Sequence, residues 1–495
     1  MPKNNATSRV AKIAQRTAIA TVVVAGSVLG LSAWAEKQSQ ALEMQAQAAP
    51  VSEAKPLSNL VPNHGQEGPL PMVTMAPNFT GPANDGATSA DPVVRGEYLA
   101  RAGDCVACHT APSGKPFAGG LAMASPIGTM YSSNITPDAQ TGIGSYSFED
   151  FDQAVRHGYA KDKGSLYPAM PFPSYARVSD QDMQDLYAYF MKGVAPVEQK
   201  VQANDIPWPL SMRWPLSIWR AMFAPDVAKV AQQAEAVAPT VDPELRGKYL
   251  VEGLGHCGTC HTPRSVTMAE KGLTSADPLF LAGSDMPLEG WVAKNLRGDA
   301  DGLGSWSEQD IFDLLKTGRN DHTAVFGGMA DVVSHSMQHL SDSDLRAMAV
   351  YLKGLKGSGA TGGKFVATDT TANALWKGDT AQIGSGLYLD NCAACHRTDG
   401  KGYSQVFPAL AGNTAVLTDD PSNLVAIILQ GHKVPATATR PSTFTMPAFG
   451  WRLSDQDVAD VSSFVRSGWG NQAAPVTAAQ VKQVRAAHEE LTQHP

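Results

Sequence analysis

The sequence contains few charged residues, and this shortage narrows the range of functions. Asp, Glu, Lys and Arg make up 17% of the 495 residues, and the formal net charge is −8. A negative chain is repelled by phosphate backbones, which excludes nucleic acid as a partner. The small charged fraction is typical of a protein that buries part of its surface against partner proteins.

The sequence also lacks the usual marks of a substrate-converting site. It shows no nucleotide-binding glycine loop, no catalytic triad and no pair of neighbouring catalytic carboxylates. We therefore expect no substrate-oxidising site in this chain, and any catalytic residue to belong to a partner.

Cysteine is confined to three pentapeptides of the form C-x-x-C-H. With none elsewhere, a disulfide framework between distant elements is excluded, and a zinc site lacks its second pair of ligands. A thioredoxin-like C-x-x-C would need neither the following histidine nor three copies. The residues are Cys105, Cys108 and His109; Cys257, Cys260 and His261; and Cys392, Cys395 and His396.

Covalent attachment of haem c explains all five positions of the motif. Each thiol adds across a haem vinyl group to form a thioether, and the histidine binds the iron as its proximal ligand. We therefore predict three haem c groups, held by the six cysteines, with His109, His261 and His396 as axial ligands.

The N-terminus has the features of a targeting segment. Four basic residues precede the apolar run Thr17–Trp34, and Ala33–Ala35 fits an A-x-A cleavage site. Cleavage after Ala35 and retention as a membrane anchor both remain open. Either route exports the chain, as haem c attachment requires. Residues 36–90 are rich in Ala, Pro, Gln, Ser and Gly, which predicts a flexible tether.

Internal repeats predict an all-α fold of three tandem class I-type cytochrome c domains. In each repeat Gly-x-Tyr-Leu precedes the haem motif in a helical pattern, at Gly96–Leu99, Gly247–Leu250 and Gly386–Leu389. Each repeat closes on a helix that begins Ser-Asp, a favourable N-cap. The expected organisation is a signal or anchor at 1–35, a tether at 36–90, cytochrome domains at 91–200, 241–356 and 378–475, linkers at 201–240 (Trp-rich) and 357–377, and a C-terminal tail at 476–495.

A methionine shortly before each terminal helix is the predicted sixth ligand of each iron, since methionine raises the reduction potential. This rule selects Met170, Met329 and Met446, which follow the motif histidines by 61, 68 and 50 residues. Prolines fix the backbone beside Met170 and Met446. Met329 has no such proline, and Met337, His335 and His339 lie nearby as alternatives.

Three further features leave alternatives open. Asn134 and Asn295 stand at matching places in the first two repeats, where each is a turn residue or a donor to a haem propionate. His157 and His432 are read as surface or helix-terminal residues. The stretch Asp205–Pro225 holds three tryptophans and either packs between domains or contacts a membrane or a subunit.

Several motifs together resemble the triheme cytochrome c subunit of the membrane-bound, quinone-reducing dehydrogenases of acetic acid bacteria. The similarity covers roughly residues 91–485 and points first to the alcohol enzyme, with the aldehyde, gluconate and fructose enzymes similar. The motifs are SPIGTMYSSNITPD, TGIGSY, LYPAMPFPSY, WPLSMRWPLSIWR, HCGTCHTPR and VFGGMADVV.

The resemblance implies partners and a location. They are a catalytic dehydrogenase subunit, a small third subunit as a further candidate, and ubiquinone as acceptor, at the periplasmic side of the inner membrane. Two rival functions remain: a cytochrome that feeds a terminal oxidase, and a haem sensor or enzyme with one open iron site.

Overall fold

A computed structural model describes residues 86–237, 242–288, 290–359 and 362–493. The predicted signal or anchor segment and nearly all of the predicted tether lie outside these residues. The described chain is mostly helical and has four small two-stranded antiparallel sheets, which confirms the predicted all-α class. Within the described ranges, no helix combines the length and the hydropathy that crossing a bilayer requires.

The three repeats share an order of elements: an opening helix, a one-turn motif helix, middle helices and a terminal helix. The first has Pro92–Ala102, Cys105–Cys108, Phe148–Val155, Phe172–Tyr175 and Asp180–Ala188, continued by a π-helical turn, Tyr189–Gly193. The second has Pro243–Tyr249, a π-helical turn Leu250–Leu254, Gly258–His261, Glu308–Thr317, Gly328–His335 and Asp342–Gly354. The third has Ser385–Asn391, Ala393–His396, Thr414–Leu417, Ser422–Gln430 and Asp455–Ser467.

The remaining elements lie between or after the repeats, or are short. Further helices are Trp214–Phe223, Val227–Val237, Thr370–Trp376 and Ala478–Gln493, and 3-10 turns are Gly86–Thr88, Met337–His339 and Gly468–Gly470. The paired strands are Ala122–Ser125 with Gly128–Tyr131, Tyr159–Ala160 with Gly164–Ser165, Lys364–Phe365 with Asn471–Gln472, and His432–Lys433 with Thr445–Met446.

The terminal helices begin where the sequence predicts. Ser179, Ser341 and Ser454 are the N-caps, and each hydroxyl accepts a hydrogen bond from a backbone amide three residues later. The partner amides belong to aspartates in the first turn, where negative charge also favours the helix dipole. Local sequence therefore determines these helix starts.

A glycine in each repeat lets the opening helix cross the terminal helix at close range. A Cβ atom on Gly96 would lie 2.0 Å from the carbonyl oxygen of Asp185, and one on Gly247 would lie 2.0 Å from that of Ala347. The equivalent residue of the third repeat is Gly384, whose Cβ would lie 2.2 Å from the carbonyl oxygen of Asp460. Gly386, which the sequence aligns with Gly96 and Gly247, has no such contact, so the third repeat is shifted by two residues.

The first two repeats share one hydrophobic core and exchange equivalent hydrogen bonds. The hydroxyl of Tyr98 donates to Asp344 Oδ2 of the second repeat at 2.6 Å, and that of Tyr249 donates to Asp182 Oδ2 of the first at 2.6 Å. The second repeat has one residue more between its tyrosine and its cysteine, and the π-helical turn Leu250–Leu254 accommodates it. The extra residue therefore leaves the pairing intact.

The third repeat builds a core of its own. Tyr388 is fully buried there against Phe464 and Trp469, and its hydroxyl donates to the carbonyl of Arg397, not to another repeat. The expected C-terminal tail contains a helix, Ala478–Gln493, that packs on this core. Arg485 fixes the helix through Asp455 and the carbonyls of Gly450 and Leu453.

Replacing Gly247 with Ala should destabilise the protein by about 3 kcal/mol or more, because a backbone carbonyl cannot move aside for the new methyl group. The free energy of unfolding from a denaturant titration measures the loss. Gly354→Ala is the matched control, since no atom lies within 4 Å of its added Cβ. Equal stability of both variants would contradict the close crossing.

Candidate functional site

Each C-x-x-C-H motif forms a single helical turn. The amide of each histidine donates to the carbonyl of the first cysteine, at 3.0 Å in the first two repeats and 2.9 Å in the third. Residues at i, i+3 and i+4 lie on one face of a helix, so both thiols and the imidazole point to the same side. The six cysteines form no disulfide.

A backbone carbonyl orients each motif imidazole through its Nδ1 atom. The distances are 2.7 Å from His109 to the oxygen of Ser133, 2.6 Å from His261 to that of Lys294, and 2.9 Å from His396 to that of Pro408. A carbonyl only accepts, so Nδ1 carries the proton and Nε2 keeps its lone pair for a metal. Burial lowers the pKa of all three imidazoles, which favours the neutral, ligating form.

The two cysteines of each motif differ in environment. Burial raises the pKa of Cys105, Cys257 and Cys392, the first of each pair, to about 12. The second cysteine of the first two motifs, Cys108 and Cys260, is exposed. The first thiol of each motif is therefore the one held in the more apolar surroundings.

These donors fit haem c. The paired thiols and the oriented imidazole supply two thioether sulfurs and one axial nitrogen from one helical turn. When bound, haem c supplies one-electron ferric–ferrous chemistry. The chain's own part is to hold the imidazole at a fixed tautomer and angle and to surround the group with apolar side chains.

Several ionisable groups near the motifs are buried, which shows how apolar these surroundings are. Burial raises the pKa of Asp104, next to Cys105, well above its usual value, and that of Glu270, against Gly258, to about 6. It lowers the pKa of Lys294 to about 7. Such surroundings favour the less charged state of a redox group and so raise its potential.

The structure places the three predicted methionine ligands in irregular segments before the terminal helices. Met170 stands at the turn before helix Phe172–Tyr175 and is half-buried against the shared core. Met446 lies in a short strand paired with His432 and packs on the core of the third repeat. Their ligation of iron stays a prediction.

Met329 lies in the first turn of the helix Gly328–His335, and two of its alternatives, Met337 and His339, have contacts of their own. Met337 is 3% exposed and belongs to the shared core, which is a packing role. The ring of His339 lies 3.2 Å from the carbonyl of Ser334, and burial lowers its pKa to about 4. Met329 is half-buried in the first turn of its helix, and its ligation of iron also stays a prediction.

The hydrogen bonds of the two asparagines favour the turn interpretation. The amide nitrogen of Asn134 donates to Val197 and Thr141, and its oxygen accepts from the amide of Thr136. Asn295 likewise donates to Asp299 and accepts from the amide of Arg297. Both side chains therefore shape their own loops, as the turn alternative predicts.

His157 and His432 differ in environment. His157 is partly exposed beside Asp152, as expected for a helix-terminal residue. His432 lies in a strand, and its Nε2 is buried without a hydrogen-bond partner among the described residues. His432 directly follows the C-cap of the helix Ser422–Gln430, which agrees with the helix-terminal alternative, and the strand that carries Met446 pairs with it there.

The Trp-rich joint contains the helix Trp214–Phe223, which has a packed side and an open side. Trp219 packs on Phe172 and donates from Nε1 to the carbonyl of Thr267 at 2.8 Å. Trp214 (64% exposed), Ile218 (51%) and Met222 (63%) recur every four residues along the open side of the helix. Together with the exposed Trp208 (78%) and Leu210 (50%), which precede the helix, they are here named the apolar stripe.

Sequence reasoning missed the three carbonyls that orient the motif histidines. Ser133, Lys294 and Pro408 act through backbone oxygens, which every residue type carries. The one available signal was that Ser133 and Lys294 each stand directly before an asparagine at matching places in the first two repeats.

Comparison with known proteins agrees with this site. The family model for cytochrome c matches residues 93–193 and 381–469. The gluconate 2-dehydrogenase cytochrome c subunit of Pantoea cypripedii is 57% identical over 420 residues, which is 84% of this chain and 94% of that protein. The cytochrome c subunit of alcohol dehydrogenase (quinone) from Gluconacetobacter polyoxogenes is 52% identical over 398 residues, covering 79% and 84% of the two chains.

A more distant relative, the fructose dehydrogenase cytochrome subunit of Gluconobacter japonicus, is 38% identical over 423 residues, covering 81% of this chain and 84% of that protein. These similarities extend across all three motif turns and confirm the resemblance found in the sequence. The chain therefore belongs to the family of cytochrome c subunits of alcohol, gluconate and fructose dehydrogenases.

Proposed function

We propose that the chain is the triheme electron relay of a quinone-dependent dehydrogenase and carries electrons from a catalytic subunit to ubiquinone. The observation that carries the proposal is the threefold repetition of one donor set, in which a carbonyl fixes each motif imidazole. A sensor would need an open iron position, whereas each repeat has a methionine that the sequence predicts as the sixth ligand. A donor to a terminal oxidase remains the alternative.

An alcohol and gluconate are the two candidate substrates of the partner enzyme. The sequence motifs point first to an alcohol, and the 57% identity to a gluconate 2-dehydrogenase subunit favours gluconate as the second candidate. The relay needs only electrons from its partner, so the haem-binding residues themselves do not select between these substrates.

Purification in mild detergent tests the relay. We expect a large catalytic subunit to co-purify, and the haems to be reduced by gluconate or by a primary alcohol and reoxidised by ubiquinone-1. Haems that accept electrons from neither substrate but donate rapidly to a terminal oxidase would support the alternative function.

We further propose three low-spin haems, with Met170, Met329 and Met446 completing the iron coordination. Exchanging any one methionine for Ala should lower one midpoint potential and leave the haem content at three, because the thioethers form independently of the sixth ligand. Redox titration and haem quantitation measure the two effects. Met337→Ala is the control and should leave all potentials unchanged. Two haems per chain would contradict the proposal.

The apolar stripe is the proposed contact with the membrane surface. Between Asp205 and Asp226 the chain has no acidic residue and two arginines, in a protein whose net charge is −8. Arg213 and Arg220 stack on Tyr167 and Tyr159, which places basic and aromatic groups together beside the stripe. Tryptophan and basic residues around an apolar helix face suit an anionic lipid surface.

The double variant Trp208→Ser, Trp214→Ser should bind vesicles of phosphatidylglycerol and phosphatidylethanolamine over a hundredfold more weakly. Burying one aromatic contributes about 1.5–3 kcal/mol, and two such losses are sufficient for this change. Vesicle co-sedimentation measures the affinity. Trp376→Ser, Trp451→Ser is the matched control, since both residues are exposed outside the stripe. Unchanged vesicle binding with weakened binding to the catalytic subunit would assign the stripe to that subunit instead.

A further inference from the structure

The segment Trp291–Lys294 contacts both the second motif and the third repeat. It is the loop whose last carbonyl, that of Lys294, accepts from Nδ1 of His261 at 2.6 Å. Its first residue, Trp291, lies 30 residues after that histidine in the sequence. One short stretch of backbone therefore connects the proximal side of the second site with the residues that Trp291 contacts, Phe326 and His432.

Trp291 packs on the methionine loop of the second repeat. Its ring centroid lies 5.3 Å from that of Phe326, three residues before Met329. A Cβ atom on Gly327 would lie 2.6 Å from Cγ of Trp291, so the indole rests directly on the loop backbone. The same segment thus contacts both sides of the second site, through Lys294 and through Trp291.

The segment also contacts the third repeat. The ring of Trp291 meets that of His432 at a centroid distance of 6.5 Å, and His432 pairs with Met446 in the adjacent strand. Asn423 holds Val292 by two hydrogen bonds, of 2.9 Å from the amide and 2.7 Å to the carbonyl. Lys294 Nζ donates to Thr414 Oγ1.

The first repeat uses the equivalent stretch differently. There the carbonyl of Ser133 accepts from His109, and the residues before it form the strand Gly128–Tyr131 of a local hairpin. This strand adds a bridge from Thr129 to Asp205, within the joint. The second repeat instead contacts the third here, through Trp291 on His432 and through Arg319, which lies over the ring of Phe444 and donates to the carbonyl of Ser442.

We propose that Trp291 is a positioning residue that sets the spacing between the second and third haems. It holds the methionine loop of the second repeat against His432, whose strand pairs with that of Met446 in the third. The inference deepens the proposed relay and rests on it.

The linker between these repeats contains Gly357, Gly359, Gly362 and Gly363. The amides of Ser358 and Gly359 donate to Asp299 of the second repeat, and the amide of Gly363 donates to the carbonyl of Leu417 of the third. The ring contacts of Trp291 add a direct connection between the two repeats to these linker contacts.

Electron exchange between the second and third haems is the quantity to measure, by rapid photoreduction of the full chain. In Trp291→Ala we expect the exchange to slow severalfold, because electron tunnelling weakens exponentially as the distance between the haems increases. Exchange between the first and second haems should stay unchanged. The near-infrared band of methionine-bound iron should persist, because the contacts of Trp291 in the methionine loop are with Phe326 and Gly327.

Two further variants separate positioning from general packing. Trp291→Phe keeps an aromatic ring on Gly327 and should restore most of the rate. Trp376→Ala removes a tryptophan that is 81% exposed near the start of the third repeat and should have no effect. If Trp291→Ala does not accumulate, Asn423→Ala tests the same junction by removing the two hydrogen bonds to Val292.

The outcomes are distinguishable. Wild-type exchange rates in Trp291→Ala, or in Asn423→Ala where the first variant fails to fold, overturn this inference and leave the relay intact. Fewer than three haems in the wild-type protein overturn the relay and this inference together. A slowed exchange that Trp291→Phe restores supports the positioning role.

Discussion

The hydrogen bond from each motif imidazole to a backbone carbonyl is the interaction on which the site depends. It joins the motif turn to a loop 24, 33 or 12 residues further along the chain. Without it the imidazole could rotate and exchange tautomers, and Nε2 would no longer point in one direction. The loop that supplies the carbonyl is therefore fixed relative to the motif, and whatever else that loop touches becomes coupled to the site.

The three repeats use this common unit in two ways. In the first two, Tyr98 and Tyr249 reach across to the opposite terminal helix, and one core serves both. The third repeat keeps its tyrosine inside and covers its own core with the helix Ala478–Gln493. The first two repeats are therefore joined tightly through a common core, and the third repeat is attached to the second through fewer and more polar contacts.

Much of this could be predicted from the sequence because the signals are local. The C-x-x-C-H spacing identifies the haem chemistry, and Ser-Asp pairs identify the starts of the terminal helices, since a hydroxyl caps an amide only three residues away. The prediction was weaker where equivalence depends on packing. Gly386 matches Gly96 because each begins a Gly-x-Tyr-Leu motif, but Gly384 is the glycine that makes the close helix crossing.

The sequence by itself determined the covalent chemistry, the helical class and the family, because these follow from residue types at short fixed spacings. Only the tertiary structure decided which repeats share a core, that Trp219 packs inward while Trp214 faces outward, and that Trp291 meets both Phe326 of the second repeat and His432 of the third. His432 and Trp291 are 141 positions apart in the chain. Contacts over such separations depend on how whole helices pack, which no local pattern of residues encodes.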